Sequence, residues 1–288
     1  MDTLIQALIN GTALGAQYAM LALGFSLVFG VLGVINLAHG GFYMLGGYFT
    51  YSLTSGVGLP FVPALILGVL GVALVGYLVE LVLIEPIVDD HEGTLIVSLG
   101  FFLVVIAAVT VAYGPEAVPI EFPVSSVLRV GDAYLPVARL IVIAVAALAV
   151  LILWMVLFRT RHGVALRALA ENREVASIQG LRPRVYFPVA VALSAGLAAL
   201  AGGLVLPIFT LEPPVAEVAL MTSFIIVVLG GLGSLLGAAV AALAVGLVEA
   251  IGGAYLDGST TKLLLFSGVL LLLLLRPSGI AGRSVRDA

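Results

Sequence analysis

Long apolar stretches follow one another along nearly the whole sequence. In Leu140–Phe158, for example, none of the 19 residues is charged. A helix that crosses the hydrocarbon core of a bilayer needs about 20 mainly apolar residues. Only 10% of all residues are charged, against about 25% in an ordinary soluble domain. The sequence therefore predicts an all-α fold, a polytopic transmembrane helical bundle in which residues 1–288 form a single domain.

Eight or nine membrane crossings are predicted from these stretches. The candidate spans are residues 4–34, 42–53, 61–84, 94–112, 135–158, 186–206, 219–233, 236–256 and 261–275. Two interruptions leave the count open, namely Ile35–Gly41, which contains Asn36 and His39, and the glycine-rich segment 230–237. Each could be a short surface turn or an unwound segment inside the protein, which is tolerated where it is buried or lines a cavity.

The stretch Arg159–Arg184 is polar and holds six of the twelve basic residues. An arginine at the centre of a membrane costs about 2.5–3.5 kcal/mol, so this stretch must be a loop in water. Because short cytoplasmic loops carry an excess of arginine, we expect this loop inside, together with the C-terminal Arg276, Arg283 and Arg286. An even number of predicted spans separates this loop from the C-terminal arginines, so both lie on the same side of the membrane, as the two assignments require. The N-terminus and the loop Tyr113–Pro136 are then expected outside the plasma or inner membrane, which the chain crosses several times.

The predicted cytoplasmic loop, residues 159–185, also shows signals of folded structure. Asn172 is a candidate N-cap of a short helix, and Gly180 is a candidate stop residue at its end. A preceding helix would present one apolar face formed by Val164, Leu166, Leu169 and Ala170. An apolar ridge that could fit a groove on another protein is formed by Val175, Ile178 and Leu181. Ala176 would leave room for close approach of that protein. The alternative is a solvated linker.

Two predicted spans resemble each other at an offset of 169 residues. Leu67-Gly68 matches Leu236-Gly237, and Leu78-Val79-Glu80 matches Leu247-Val248-Glu249. Chance matches are frequent in apolar sequence, but glutamate is rare here. The predicted topology runs the two spans in opposite directions, as an inverted internal repeat requires, and such repeats are common in transporters.

No pattern for nucleotide, metal or catalytic chemistry is found in the sequence. A P-loop needs Gly-x-x-x-x-Gly-Lys-Ser/Thr, and the only lysine, Lys262, stands between Thr261 and Leu263. The segment 224–237 resembles a dinucleotide-binding turn, but a tight turn between two membrane helices explains its glycines better. The three histidines lie in separate segments and form no metal-binding pair. We therefore expect no catalytic residue, no metal, no cofactor bound by this chain and no nucleic-acid partner.

A few polar residues and glycines in apolar surroundings are candidates for lining a translocation path. The set is Asn36, His39, Gly40, Glu80, Gly231, Gly233 and Glu249. His39 could instead make a structural hydrogen bond. Glu80 and Glu249 lie near helix ends and could extend their carboxylates to the membrane interface.

Several motifs, each weak alone, occur together along nearly the whole chain. They are Asn10-Gly11, Gly15-Ala16-Gln17-Tyr18-Ala19, Phe29–Gly40 (FGVLGVINLAHG), Gly230–Gly237 (GGLGSLLG) and Arg276–Gly282 (RPSGIAG). In combination they resemble the branched-chain amino-acid permeases of ABC importers, and specifically the shorter, H-type membrane subunit. The acidic turn Glu85–Glu92 departs from this resemblance, because more basic residues are expected there.

The resemblance implies a type II-like ABC importer permease that forms half of the translocation path for leucine, isoleucine and valine. It implies that the cytoplasmic loop touches the ATPases through Gly163, Arg167, Ala168, Glu171, Asn172, Ala176, Gly180 and Leu181. The implied partners are two cytosolic ATPase subunits that use ATP, a second homologous permease in a heterodimer rather than a homodimer, and an extracytoplasmic substrate-binding protein. Related permeases carry urea or short amides. The residues alone also allow a self-sufficient channel or an ion-coupled carrier in which Glu80 or Glu249 handles protons.

Overall fold

The computed structural model describes residues 2–120, 122–130, 133–276 and 279–281. The predictions that concern Arg283, Arg286 and residues 277–278 and 282 of the closing motif lie outside the described residues.

The regular structure of the described chain is almost entirely helical. The helices are α1 (Asp2–Leu32), α2 (His39–Tyr51), α3 (Phe61–Val79), α4 (His91–Tyr113), α5 (Val137–Arg159), α6 (Arg161–Glu171), α7 (Arg173–Ile178), α8 (Pro183–Val205), α9 (Val215–Gly230), α10 (Leu235–Tyr255) and α11 (Gly258–Leu275). A small antiparallel hairpin joins β1 (Val127–Val130) to β2 (Ala133–Pro136), with Val127 opposite Pro136. The prediction of an all-α polytopic bundle is confirmed.

Seven helices in the described ranges are long and apolar enough to cross a membrane, namely α1, α3, α4, α5, α8, α10 and α11. The other two predicted spans correspond to α2 and α9, which have 13 and 16 residues and are shorter than a full crossing. Both begin inside the bundle, where Gly40 of α2 lies against Ala216 of α9. The predicted number of eight or nine is therefore close to what the structure shows, with two partial crossings in the count.

The two interruptions have different structures. After α1 the chain turns at Gly33, which has φ +74°, and runs unwound through the protein to His39. Asn36 is buried there, and its side chain accepts a hydrogen bond from the Ala38 amide at 3.0 Å, while the Leu37 amide donates to Ser98 Oγ at 3.2 Å. The segment between α9 and α10 is instead a tight turn with an exposed tip, and α10 begins directly after it at residue 235.

The packing shows the predicted inverted repeat. The most extensive helix contacts in the described chain are those of α1 with α10 and of α3 with α8. Both pairs are antiparallel: in the first, Gly11 lies beside Leu247 and Gly30 beside Gly233, and in the second Gly203 lies beside Leu65. If α1–α4 are matched in order with α8–α11, the contact of α1 with α10 corresponds to that of α8 with α3. The matched helices α1 and α8 run in opposite directions, because α1 begins at the hairpin whereas α8 begins beside Glu85. This is the arrangement that inverted repeats produce in transporters.

The two ends of the bundle carry different elements. At one end, which we call the N-terminal face, Gln6 at the start of α1 accepts a hydrogen bond from the Tyr134 amide in the hairpin at 3.0 Å. At the other end, which we call the loop face, lie α6, α7 and the turn Glu85–Asp90. The helix α5 joins the two, so the predicted loops Tyr113–Pro136 and Arg159–Arg184 lie at opposite ends of the molecule.

Candidate functional site

The loop face carries a compact unit of two short helices, α6 and α7, as predicted. The Thr160 side chain accepts a hydrogen bond from the Gly163 amide at 3.1 Å and caps α6. Asn172 accepts one from the Val175 amide at 2.9 Å, which confirms the predicted cap of α7. Gly180 has φ +90° and lets the Leu181 amide bond to the Ala176 carbonyl at 3.1 Å, which closes the end of α7. The loop is therefore folded into two capped helices.

Helix α6 is fixed directly onto the end of α5. A Cβ atom at Gly163 would overlap the carbonyl oxygens of Val156 and Leu157, so glycine is required for this approach. Arg167 donates a hydrogen bond from Nε to the Leu157 carbonyl at 3.1 Å, and its guanidinium lies 4.5 Å from the centre of the Phe158 ring. These contacts couple α6 mechanically to a helix long enough to cross the membrane.

The acidic turn before α4 has a structural partner in the same unit. Arg173 of α7 forms an ion pair with Asp89, Nη1 to Oδ1 2.7 Å, and Arg184 at the start of α8 pairs with Glu85 at 3.0 Å. The Arg173 guanidinium also lies 5.1 Å from the centre of the Phe187 ring. Two of the acids that depart from the expected basic pattern therefore pair with arginines at the two ends of the segment 173–184.

The buried face of the unit differs from the predicted one. The side chains that turn inwards are Gly163, Ala165, Leu166, Leu169 and Ala176. Val164 and Ala170, which were expected on this face, are exposed. Ala176 is only 5% exposed, so it packs against the protein itself and cannot offer close approach to another protein. The outward apolar side chains are Val164, Val175 and Ile178, the last of them 80% exposed.

The remaining predicted contact residues flank this surface. Glu171 and Asn172 are exposed at the junction of α6 and α7, whereas Ala168 and Leu181 are half-buried. Leu181 packs against the hydrophobic core. The structure therefore brings all eight predicted residues into one unit, with only some of them at its surface.

A second candidate site is a cleft at the junction of α1, α9 and α10, which we call the Glu249 cleft. It consists of three adjoining cavities of about 170, 330 and 380 Å³, and Glu249 lines all three. The Tyr18 hydroxyl donates a hydrogen bond to Glu249 Oε2 at 2.7 Å across the α1/α10 contact. The preceding residue, Gln17, donates from Nε2 to the Tyr43 hydroxyl at 3.2 Å.

The first of the three cavities, which we call the Arg139 cavity, lies towards the N-terminal face. Arg139, in the first turn of α5, lines it and donates a hydrogen bond from Nη1 to Asn10 Oδ1 of α1. The sequence analysis missed Arg139, Gln17 and Tyr18 as site residues. Signals existed, because Arg139 is the one charged residue of the predicted span 135–158 and Gln17-Tyr18 belongs to the opening signature.

The other predicted path residues lie away from these cavities. His39 is 2% exposed and has partners on both ring nitrogens, the Leu21 carbonyl at 3.0 Å from Nε2 and Ser194 Oγ at 3.2 Å from Nδ1. A Cβ at Gly40 would overlap the Ala216 carbonyl oxygen. These two residues therefore hold the crossing of α1, α2, α8 and α9 together.

Glu80 and the glycines of the α9–α10 turn complete the predicted set. Glu80 is completely buried in a short π-helical turn, Glu80–Ile84, and neither carboxyl oxygen has a hydrogen-bond partner among the described residues. Gly231 and Gly233 have φ of +102° and +78°, and Gly233 lies against Gly30 of α1. Of the predicted path residues, only Glu249 lines the cavities of the cleft.

Comparison with known proteins gives consistent matches over almost the full chain. Residues 7–275 match the family model described as branched-chain amino acid transport system / permease component. The chain is 30% identical to the high-affinity branched-chain amino acid transport system permease protein LivH of Escherichia coli K12, covering 97% of this chain and 96% of that protein. It is 29% identical to BraD of Pseudomonas aeruginosa, with the same coverage, and 28% identical to LivM of Escherichia coli K12, covering 91% of this chain and 67% of LivM.

Proposed function

The chain belongs to the family of branched-chain amino acid transport system permease components, and from this we propose that it forms half of the path by which an ATP-driven importer carries leucine, isoleucine and valine through the cell membrane. The observation that carries the proposal is the family match over residues 7–275, which includes at least the greater part of every described membrane helix. The inverted repeat and the helical unit on the loop face agree with it.

The importer needs further subunits. The chain matches two permease proteins of one organism, LivH and LivM, and this supports a heterodimer of this chain with a second, related permease. Two ATPase subunits on the cytoplasmic side supply the energy, and an extracytoplasmic binding protein delivers the substrate.

The ATPases dock on the exposed apolar side chains of α6 and α7, Val164, Val175 and Ile178. An energy-transmitting contact must be rigid, because a flexible linker would absorb the motion of the ATPases. The unit meets this condition, since Gly163 and Arg167 hold α6 on α5 and Arg173 ties α7 to Asp89. The arginine content of the loop supports a loop face in the cytoplasm and an N-terminal face outside.

The Glu249 cleft is the part of the chain that lines the translocation path. Its wall includes the hydrogen-bonded pair of Tyr18 on α1 and Glu249 on α10, which fits the rule that ionisable residues in membrane helices mark substrate pathways. In the assembled importer the second permease covers the open side of the cleft.

The proposal is tested by reconstituting this chain with the second permease, the ATPases and the binding protein in vesicles. Radioactive leucine should accumulate only when ATP is present on the ATPase side and the binding protein on the other. A matched vesicle with ATPase subunits unable to hydrolyse ATP is the control. Accumulation of urea or propionamide in place of leucine would assign a different substrate, and ATP-independent leucine movement would show a channel or carrier.

A further inference from the structure

We propose that the Arg139 cavity is a subsite for the charged head of the amino acid, in which Glu249 accepts the ammonium group and Arg139 binds the carboxylate. The inference rests on the proposed function, because it assumes that the Glu249 cleft faces the substrate. It adds the position at which this chain recognises an amino acid and the two residues that do so.

Two opposite charges, on different helices, line one cavity of the helical bundle. Arg139 belongs to α5 and Glu249 to α10, and both are half-buried. Each side chain is held at the cavity by a bond to α1, Arg139 to Asn10 and Glu249 to Tyr18. Charges in membrane helices are costly and usually have a functional reason.

The charges of Arg139 and Glu249 are not paired with each other. The described residues contain no ion pair between Arg139 and Glu249. Their anchors on α1, Asn10 and Tyr18, are eight residues apart, which is about 12 Å along a helix at about 1.5 Å per residue. The two head groups are therefore held at different levels of α1, and a ligand in the cavity that both of them line can contact each of them.

Both head groups also have unfilled hydrogen-bonding capacity. A guanidinium carries five donors, and among the described residues that of Arg139 is bonded to Asn10. Glu249 Oε2 accepts the Tyr18 hydroxyl, and Oε1 has no donor in the described part of the chain. Guanidinium with carboxylate, and carboxylate with ammonium, are the strong charge-assisted pairs that an α-amino acid can make with such a site.

Apart from the polar side chains of Asn10 and Gln17, the rest of the cavity wall is apolar. It includes Leu14 of α1, Val142 of α5 and Val205 and Ile208 at the end of α8. A branched aliphatic side chain can pack there, whereas urea has no apolar part to bury against this wall. A neutral amide would in addition leave both charges without a counter-ion, and sites built for polar pairing reject ligands that lack the partner group. The cavity therefore favours branched amino acids over urea and short amides.

The test uses protection of a single cysteine in the assembled importer. The chain has no cysteine, and Gly253 lines the cavity with nothing within 4 Å of a Cβ placed there, so Gly253→Cys adds a reporter without a clash. The rate of maleimide labelling of this chain is measured at increasing concentrations of four probes. The first is leucine. The others are isoamylamine, which lacks the carboxylate, α-ketoisocaproate, which lacks the ammonium group, and isovaleramide, which lacks both charges.

Leucine, the amine and the keto acid should each slow labelling, and isovaleramide should not. Glu249→Gln should raise the half-protecting concentration of leucine and of the amine by about tenfold or more while leaving that of the keto acid unchanged. Arg139→Gln should do the opposite, affecting leucine and the keto acid but not the amine. This double selectivity is the signature of a zwitterion subsite.

A merely structural role of the two residues would shift protection by all probes together, and this result would overturn the proposal. So would equal protection by isovaleramide, or no protection by leucine in the importer that carries only Gly253→Cys. ATP-driven leucine uptake in the same vesicles separates the two claims. Uptake without protection would contradict the proposed subsite alone, whereas absence of leucine uptake would contradict the proposed function.

Discussion

The backbone of Gly246 on α10 lies directly against that of Gly15 on α1, and a Cβ at Gly246 would overlap the Gly15 amide. In a membrane, where lipid removes most of the hydrophobic drive for helix association, such close backbone contact supplies much of the packing energy. The Tyr18–Glu249 bond lies along the same contact. The α1/α10 interface therefore both stabilises the bundle and fixes the geometry of the Glu249 cleft.

We predict that Gly246→Val destabilises the chain by about 1–3 kcal/mol or more, because the added side chain overpacks the α1/α10 contact. The midpoint of thermal unfolding in detergent should fall. Gly253→Val is the matched control, since Gly253 lies on the same helix with open space at its Cβ. An equal loss in both variants would show that helix propensity, and not the contact with Gly15, causes the effect.

Ile178→Glu should weaken association with the ATPases. Ile178 is 80% exposed at the end of α7, and a charge there would disrupt an apolar contact with a partner without disturbing the fold of this chain. Loss of one buried branched side chain from an interface costs about 1.5–3 kcal/mol, or more than tenfold in affinity. Co-purification of the ATPases and uptake at matched membrane levels are the measurements.

Gln179→Glu is the control for this effect, because it adds the same charge at the next exposed position. The substitution Ala176→Glu is not a clean test, since Ala176 is buried and the variant would disturb α7 itself. Unchanged association in Ile178→Glu would show that the ATPases dock elsewhere on the loop face.

The orientation in the membrane is open to a direct test. Val164 lies on the loop face and Ser125 in the segment at the other end of α5, and both are exposed. In sealed cells, a membrane-impermeant thiol reagent should label Ser125→Cys and reach Val164→Cys only after the membrane is permeabilised. The reverse pattern would place the loop face outside and contradict the arginine argument, and labelling of both from outside would contradict the fold.

The sequence predicted those features that depend on local rules. Long apolar stretches become spans because lipid allows no unpaired backbone, and Asn172 and Gly180 end helices through interactions with near neighbours. The side of α7 that Ala176 occupies could not be predicted, since alanine suits a buried or an exposed position equally. The Tyr18–Glu249 bond joins residues 231 positions apart, and it exists only because α1 and α10 pack together. The buried path from Gly33 to His39 likewise depends on Ser98 of another helix.

Glu80 supports the last prediction. It matches Glu249 in the inverted repeat, but it has no hydroxyl partner and lines none of the cavities of the cleft. A buried carboxyl group without hydrogen bonds costs free energy, and an apolar side chain of similar volume removes that cost. We therefore expect Glu80→Met to raise the midpoint of thermal unfolding, and Glu80→Gln and Glu80→Met both to keep ATP-driven leucine uptake.

In a proton-coupled carrier that uses Glu80, both variants would lose uptake, and a pH gradient alone would drive transport in the unmodified chain. Glu249→Gln, measured in parallel, should impair leucine uptake, because of the two repeat-related glutamates only Glu249 faces the cavities described here.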